Sequence, residues 1–185
     1  MTPFWINSIF LWIVVIINLL LTLVLIKNFN SGIKIMESGL KTGIVSPEFN
    51  VSAISGKIIS NQEFINKGLL LLFISPQCKP CQEKILYYKS IIPIAKRSNV
   101  EILFVSLSNI SNTFTFAEKY ELDSDIIVSN ENNNSLEKLF NAKVTPSYCF
   151  INIDGKIQSC GIPDLEEDQW KNLIEQWTND SRKEN

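Results

Sequence analysis

Hydrophobic and polar positions divide this 185-residue chain into one unbroken apolar stretch and a longer region of alternating character. From Phe4 to Ile26 no side chain is charged, and from Ile9 to Ile26 only Asn18 and Thr22 are polar. A helix needs roughly 20 apolar residues to cross a hydrocarbon core about 30 Å thick, so residues 4–26 are expected to form a transmembrane anchor. Trp5 and Trp12 suit the headgroup level, where an amphipathic ring is favoured. A cleaved signal peptide is the competing reading. The apolar run exceeds the roughly 7–15 residues of such a segment, and no small-x-small cleavage pattern follows Ile26. The anchor is therefore preferred.

Residues 27–42 are short, polar and contain Gly32 and Gly39, which reads as a tether. A domain is expected over residues 43–178. Phe49 to Val51 and Lys57 to Ser60 are strand candidates joined through Ser55-Gly56, a turn signal. Leu69 to Ser75 is a continuous apolar run with the length of a strand buried on both faces. Pro80 to Ile92 follows as a helix, with Ile85, Tyr88, Ile91 and Ile92 at helical spacing, and Pro93 is expected to kink or end it. Val100 to Leu107 is a second buried strand, Thr113 to Glu121 a helix and Ile126 to Val128 a short strand. Asn130 to Asn134 reads as a loop before a short helix, Ser135 to Phe140. Tyr148 to Ile153 and Lys156 to Gly161 form a hairpin turning at Asp154-Gly155. Leu165 to Thr178 is an amphipathic helix with Leu165, Trp170, Leu173, Ile174 and Trp177 in one stripe. Residues 179–185 are left as a flexible tail. The order of elements predicts a mixed α/β sheet with helices on both faces.

Composition narrows the chemistry. Seventeen basic residues against 19 acidic ones leave a net charge of −2, without the basic face that nucleic-acid binding requires. The chain has no histidine, which removes histidine general bases, Ser-His-Asp or Cys-His catalysis and most transition-metal sites. Four cysteines remain as the reactive reserve.

Two of them stand in Ser75-Pro76-Gln77-Cys78-Lys79-Pro80-Cys81, between a buried strand and a helix. Cysteines three apart at a helix start close a small disulfide, and the helix N-terminal amides and dipole stabilise a thiolate on the first. Lys79 adds a positive charge beside it, lowering the thiol pKa further, and Pro80 fits a first turn that needs no backbone donor. A lone C-x-x-C is equally half of a zinc site or a structural bridge; the preceding strand makes it a redox context. The second element is Thr145-Pro146, directly before the hairpin. A proline there is often an ordinary trans strand-starter, but about 65 residues after a C-x-x-C and opening the hairpin strand it is expected to be cis, near the Cys78–Cys81 pair, and to expose the preceding backbone to a substrate chain.

At these two elements the chain resembles the thioredoxin superfamily, from about Gly39 to Trp177. The segment Gly43 to Gly68, with Pro47-Glu48-Phe49 and the Ser-Gly turn, looks like the N-terminal hairpin of the membrane-tethered TlpA/ResA and redoxin-like branch. A Gly-Leu-Lys-x-Gly opening (Gly39 to Gly43) and a Ser-Pro-x-Cys approach (Ser75 to Cys78) are similar to the MauD type, associated with maturation of methylamine dehydrogenase. The resemblance implies a thioredoxin-like fold and an extracytoplasmic thiol–disulfide oxidoreductase acting on protein or peptide thiols and disulfides of exported proteins, with no cofactor. By the same analogy Cys78 attacks or is attacked, Cys81 resolves the mixed disulfide, Lys79 and Pro80 tune the couple, and Thr145 and Pro146 bind substrate. The chain departs from the family pattern in Gln77, which replaces a usual tryptophan, in Leu72, which replaces a buried carboxylate, and in the late position of Pro93.

Cys149 and Cys160 read first as small buried hydrophobes. A two-residue turn at Asp154-Gly155 places them opposite each other as a hydrogen-bonded pair, where they form a structural or second redox disulfide; a three-residue turn with a bulge takes them out of register. Two other function classes stay open: a module in which the four cysteines hold zinc or another soft metal, and a tethered binding domain without turnover. Orientation is contested within the sequence itself. Lys27, Lys34 and Lys41 after the span favour a cytoplasmic domain, whereas the dithiol chemistry favours the oxidising outer side. The expected location is a single-pass membrane protein with the domain outside, in contact with the lipid bilayer through its helix and with a membrane redox partner.

Overall fold

The computed structural model describes residues 3–32, 38–129 and 136–183. Residues 33–37, the Asn-rich loop with Ser135, and the last two residues of the expected tail lie outside the described residues. Two compact units are separated between Glu37 and Ser38.

The first unit holds α1 (Pro3–Gly32). Its stretch Ser8–Leu25 is long and apolar enough, by length and composition, to cross a membrane, and none of it is buried in the structure. Two polar side chains within it are satisfied locally: Asn18 Nδ2 donates to the Val14 carbonyl (3.1 Å) and Thr22 Oγ1 to that of Asn18 (2.8 Å). The helix runs on to Gly32, through positions expected to belong to the tether.

The second unit is built on a five-stranded sheet: β3 (Gly68–Ile74), β4 (Val100–Ser106), β5 (Ile127–Ser129), β6 (Ser147–Ile151) and β7 (Ile157–Gly161), in the order β5-β4-β3-β6-β7. A two-stranded ribbon, β1 (Asn50–Ser52) and β2 (Ile58–Ser60), precedes them. β3 pairs parallel with β4 and antiparallel with β6. All seven of its residues are buried, and their alternation supplies two cores. Leu70, Leu72 and Ile74 join α2 (Lys79–Arg97), α3 (Ile110–Lys119) and α5 (Asp168–Lys183) on one face; Leu69, Leu71 and Phe73 meet Phe49, Ile59 and Phe140 on the other. Phe140 follows the short helix α4 (Leu136–Leu139).

Residues 38–60 wrap both outer strands. The Gly43 amide donates to the Ile157 carbonyl and the Ile157 amide to that of Ile44, both at 2.8 Å, with a bridge between Val45 and Lys156 just before β7. Farther along, Ala53 bridges Val128 and the Ile54 amide donates to the Ile127 carbonyl on β5 (2.9 Å). Residues 38–42 also bond within the domain: the Gly39 amide donates to the Asn141 carbonyl (2.9 Å) and Asn141 Nδ2 to the Gly39 carbonyl (3.1 Å).

Several boundaries differ from the sequence expectation, most clearly in α2, α5 and the hairpin loop. Pro93 does not end α2, which continues to Arg97 because the buried stripe Ile85, Tyr88, Ile91 continues to Ala95. α5 begins at Asp168 rather than Leu165, since Asp164 organises a turn by accepting from the Glu166 amide (Oδ1, 3.3 Å) and the Glu167 amide (carbonyl, 3.0 Å). Leu165 therefore lies outside the stripe, 57% exposed. α5 also runs to Lys183, past the expected tail boundary. The hairpin loop is longer than two residues: Asn152 pairs with Lys156 and its side-chain oxygen accepts from the Asp154 and Lys156 amides.

Trp170 is fully buried at the contact of α5 with α2 and the sheet. Its ring lies 4.9 Å from that of Tyr148 and 6.5 Å from that of Tyr88, and its Nε1 donates to Tyr87 Oη (3.2 Å). Trp170→Ala is expected to cost about 3–5 kcal/mol in urea unfolding followed by circular dichroism. A loss below about 1 kcal/mol contradicts this packing. Lys84 and Asp164 pair at 2.5 Å and tie α2 to the loop after β7. The Lys84 hydrogen bond, joined by the Glu166 amide, holds the Asp164 carboxyl below its ordinary range. A depressed folded pKa adds stability above the unfolded value of about 3.9 and loses it as pH falls through the folded one. Because the pair is more than one-third exposed, Asp164→Asn is expected to cost only about 0.2–1 kcal/mol at neutral pH, with the difference closing below about pH 4. A pH-independent difference between pH 7 and pH 3 excludes the ion pair as its cause.

Candidate active site

β3 ends at Ile74 and the chain turns sharply: the Cys78 amide donates to the Ser75 carbonyl (3.0 Å) and the Gln77 amide to Ser75 Oγ (3.3 Å). Gln82 reaches back from α2 and donates through Nε2 to the Pro76 carbonyl (2.5 Å). The turn is thus held at both ends by polar side chains. Gln82 gave no signal in the sequence.

Cys78 is the N-cap of α2, and the Cys81 amide donates to its Sγ at 3.2 Å. A helix N-terminus leaves such amides without carbonyl partners, so the Cys78 sulfur occupies the position of a capping acceptor. Pro80 lies in the first helical turn, where no backbone donor is needed. Cys78 and Cys81 are disulfide-bonded, with Cα atoms 5.2 Å apart. Cys78 is partly exposed, whereas Cys81 has no exposed surface. Lys79 points into solvent and pairs with Glu83 at 3.8 Å along the helix, so part of its charge is already met.

Across from the pair, the Thr145–Pro146 peptide bond is cis. Pro146 is buried and Thr145 partly exposed. Cys78 Sγ lies 3.4 Å from the Thr145 carbonyl oxygen, bringing together residues 67 positions apart. Leu72 is fully buried in the same core cluster as Cys81. That cluster surrounds the inner sulfur with aliphatic and aromatic side chains, and burial raises the pKa of the Tyr88 and Tyr148 hydroxyls it contains. A shallow cleft of about 220 Å³ runs from Pro76 and Gln77 to Asn112, Phe116 and Lys119 on α3. A larger cavity, about 660 Å³, sits between residues 61–69 and 151–155 and contains no cysteine.

Cys149 and Cys160 face each other on β6 and β7 and are also disulfide-bonded. Their pairing is reached through a longer loop and a bulge between Phe150 and Ile151, rather than through the expected two-residue turn. The Cα atoms are 4.1 Å apart, closer than the roughly 5.5 Å of the expected hydrogen-bonded pair. Cys149 packs with Leu71 on one face of the sheet and Cys81 with Leu72 on the other. The four sulfurs do not converge, and among the described residues no group of three or more His, Cys, Asp or Glu is placed to hold a metal ion.

Comparison with known proteins agrees with this geometry. The chain is 26% identical over 142 residues to the thiol-disulfide oxidoreductase ResA of Bacillus thuringiensis subsp. konkukian, covering 76% of this chain and 79% of that protein. It is 25% identical over 123 residues to ResA of Geobacillus thermodenitrificans, covering 66% and 70%. Among solved structures, the thioredoxin domain of a thiol-disulfide oxidoreductase from Bacteroides vulgatus superposes with a TM-score of 0.63 at 20% identity, covering 76% of this chain and 99% of that one. The exposed lipoprotein thioredoxin Etrx1 of Streptococcus pneumoniae gives 0.56 at 18%, covering 70% and 99%. The fold is thioredoxin-like. The AhpC/TSA family model matches residues 42–160, more than half of the chain, and the chain belongs to that family.

Proposed function

We propose that this protein is a membrane-anchored thiol–disulfide oxidoreductase that exchanges disulfides with exported proteins or peptides through Cys78 and Cys81. The observation that carries the reading is the asymmetry of the pair: a partly exposed Cys78 at a helix N-terminus beside the Thr145 carbonyl, and a fully buried Cys81 behind it. The ResA relatives support it through their activity, and α1 supports the anchor through its length and composition.

In the reducing direction the Cys78 thiolate attacks one sulfur of a substrate disulfide. The substrate S–S bond breaks, one substrate sulfur leaves as a thiolate, and Cys78 is held in a mixed disulfide. Cys81 then loses its proton and attacks Cys78 Sγ, releasing the second substrate thiol and closing the internal disulfide; oxidation of a substrate runs the same steps backwards. The Cys81 amide and the α2 N-terminus stabilise the Cys78 thiolate as both nucleophile and leaving group. Thr145, beside Cys78, offers its backbone to an extended substrate segment. With Leu72 in place of a carboxylate, the Cys81 proton passes outward to the departing thiolate or to water at the Cys78 side. The finer MauD-type assignment rests on Gly39 to Gly43 and Ser75 to Cys78.

Cys78→Ser is expected to abolish reduction of a disulfide-bonded peptide, whereas Cys81→Ser retains attack and accumulates a mixed disulfide visible by mass spectrometry under non-reducing conditions. Accumulation in the Cys78→Ser protein instead reverses the roles. The domain is expected outside the cytoplasmic membrane despite Lys27, Lys34 and Lys41, because an anchored dithiol acts where exported proteins form disulfides. Protease added to intact cells stripped of wall or outer membrane should digest it. Protection that ends only when the membrane is permeabilised places the domain inside.

A further inference from the structure

The second cysteine pair sits beneath the segment by which the domain begins. Gly39 adopts φ +99° and lies directly against Cys160; a Cβ at position 39 would collide with the Cys160 Cβ and stand 3.2 Å from its sulfur. There is thus no spare room above the disulfide. The cover is held by hydrogen bonds of Gly39 with Asn141, of Ser38 Oγ, which donates to the Asn141 carbonyl (3.3 Å) and accepts from the Lys143 amide (3.0 Å), and of Gly43 with Ile157, and by Leu40, which packs against the core that holds Cys149. Cys160 is partly exposed and Cys149 is not.

We propose that Cys149–Cys160 is a second redox pair, independent of Cys78–Cys81, whose oxidation state is coupled to the docking of residues 38–43 on the domain. Opening the bond replaces a covalent S–S separation of about 2.05 Å by a non-bonded contact of about 3.5–4 Å. Cys149 is enclosed by the core around Leu71, so the added distance is taken up on the Cys160 side, into Gly39. The reduced pair and the docked segment compete for the same space. By linkage, docking favours the disulfide to the extent that the disulfide favours docking.

The reductant is a small thiol or a protein dithiol. Its thiolate attacks Cys160 Sγ, the Cys149–Cys160 bond breaks, and Cys149 leaves as a thiolate and takes up a proton. A second external thiolate attacks the outer sulfur of the mixed disulfide, releasing an external disulfide and protonated Cys160. Two external thiols are oxidised and one internal disulfide is reduced. The same cover explains why attack on Cys160 requires the segment to lift.

The test uses the full-length wild-type chain in detergent micelles, equilibrated in glutathione buffers of graded reduced-to-oxidised ratio. Each cysteine is scored by alkylation and peptide mass spectrometry, and amide hydrogen exchange is followed over residues 38–44. Cys149 and Cys160 should become alkylatable together while circular dichroism stays native, with exchange at Gly39 and Gly43 rising at least about tenfold, within the usual range of coupling between sites. Gly39→Ala should make this pair about tenfold easier to reduce and leave the Cys78–Cys81 equilibrium unchanged. A pair that opens only when the fold is lost is a structural cross-link and overturns the proposal. Opening without a change in exchange, or an unaltered equilibrium in Gly39→Ala, overturns the coupling. Neither result touches the role of Cys78 and Cys81.

Discussion

A strand with no face in water has to satisfy every backbone donor and acceptor through its neighbours, because an unpaired buried amide costs several kcal/mol. β3 is under that constraint along all seven residues. The solution found here is β4 on one side, parallel, and β6 on the other, antiparallel. The register that follows places Phe73 opposite Ser147. Two residues beyond each of these lie Ser75, opening the turn to Cys78, and Thr145. The approach of Cys78 to Thr145 is therefore a consequence of strand pairing in the core, and the chemistry at the rim inherits its precision from there.

What the sequence revealed and what it hid follow the same division. The run Leu69 to Ser75, the cysteine spacing and Thr145-Pro146 were legible because each is a local pattern with a narrow set of physical explanations. Pro93 does not end α2 because a proline removes one hydrogen bond locally, while the stripe from Ile85 to Ala95 is stabilised by burial along the whole helix. Leu165 fitted the periodicity of α5, yet the Asp164 turn delays the helix and leaves that side chain in solvent. The hairpin pairing of Cys149 with Cys160 was reached by a different route, since the bulge compensates for a longer loop. Residues 38–42 looked like a linker because their bonds go to Asn141 and Lys143, about a hundred positions away, and nothing in a polar segment announces so distant a partner.

The sheet also keeps its two disulfides chemically apart. Alternation along β3 and β6 sends Leu72 and Tyr148 to the face with Cys81, and Leu71 and Cys149 to the other. One pair begins a helix, with an amide directed at its outer sulfur; the other lies flat within a ladder. Identical side chains thus stand in different electrostatic settings, and it is the backbone around each sulfur, rather than the cysteine itself, that distinguishes them.

The wrap of residues 38–60 over β7 and β5 has a bearing on how such molecules coexist. Unpaired sheet edges are templates for edge-to-edge association, and proteins blunt them by covering or shortening them. Here the chain covers parts of both outer strands with its own N-terminal segment. Copies held on one surface would meet at high local density, the condition under which open edges polymerise into fibres. Covering parts of them lowers the tendency of neighbouring copies to pair edge to edge, so that crowding on a surface does not by itself become self-association.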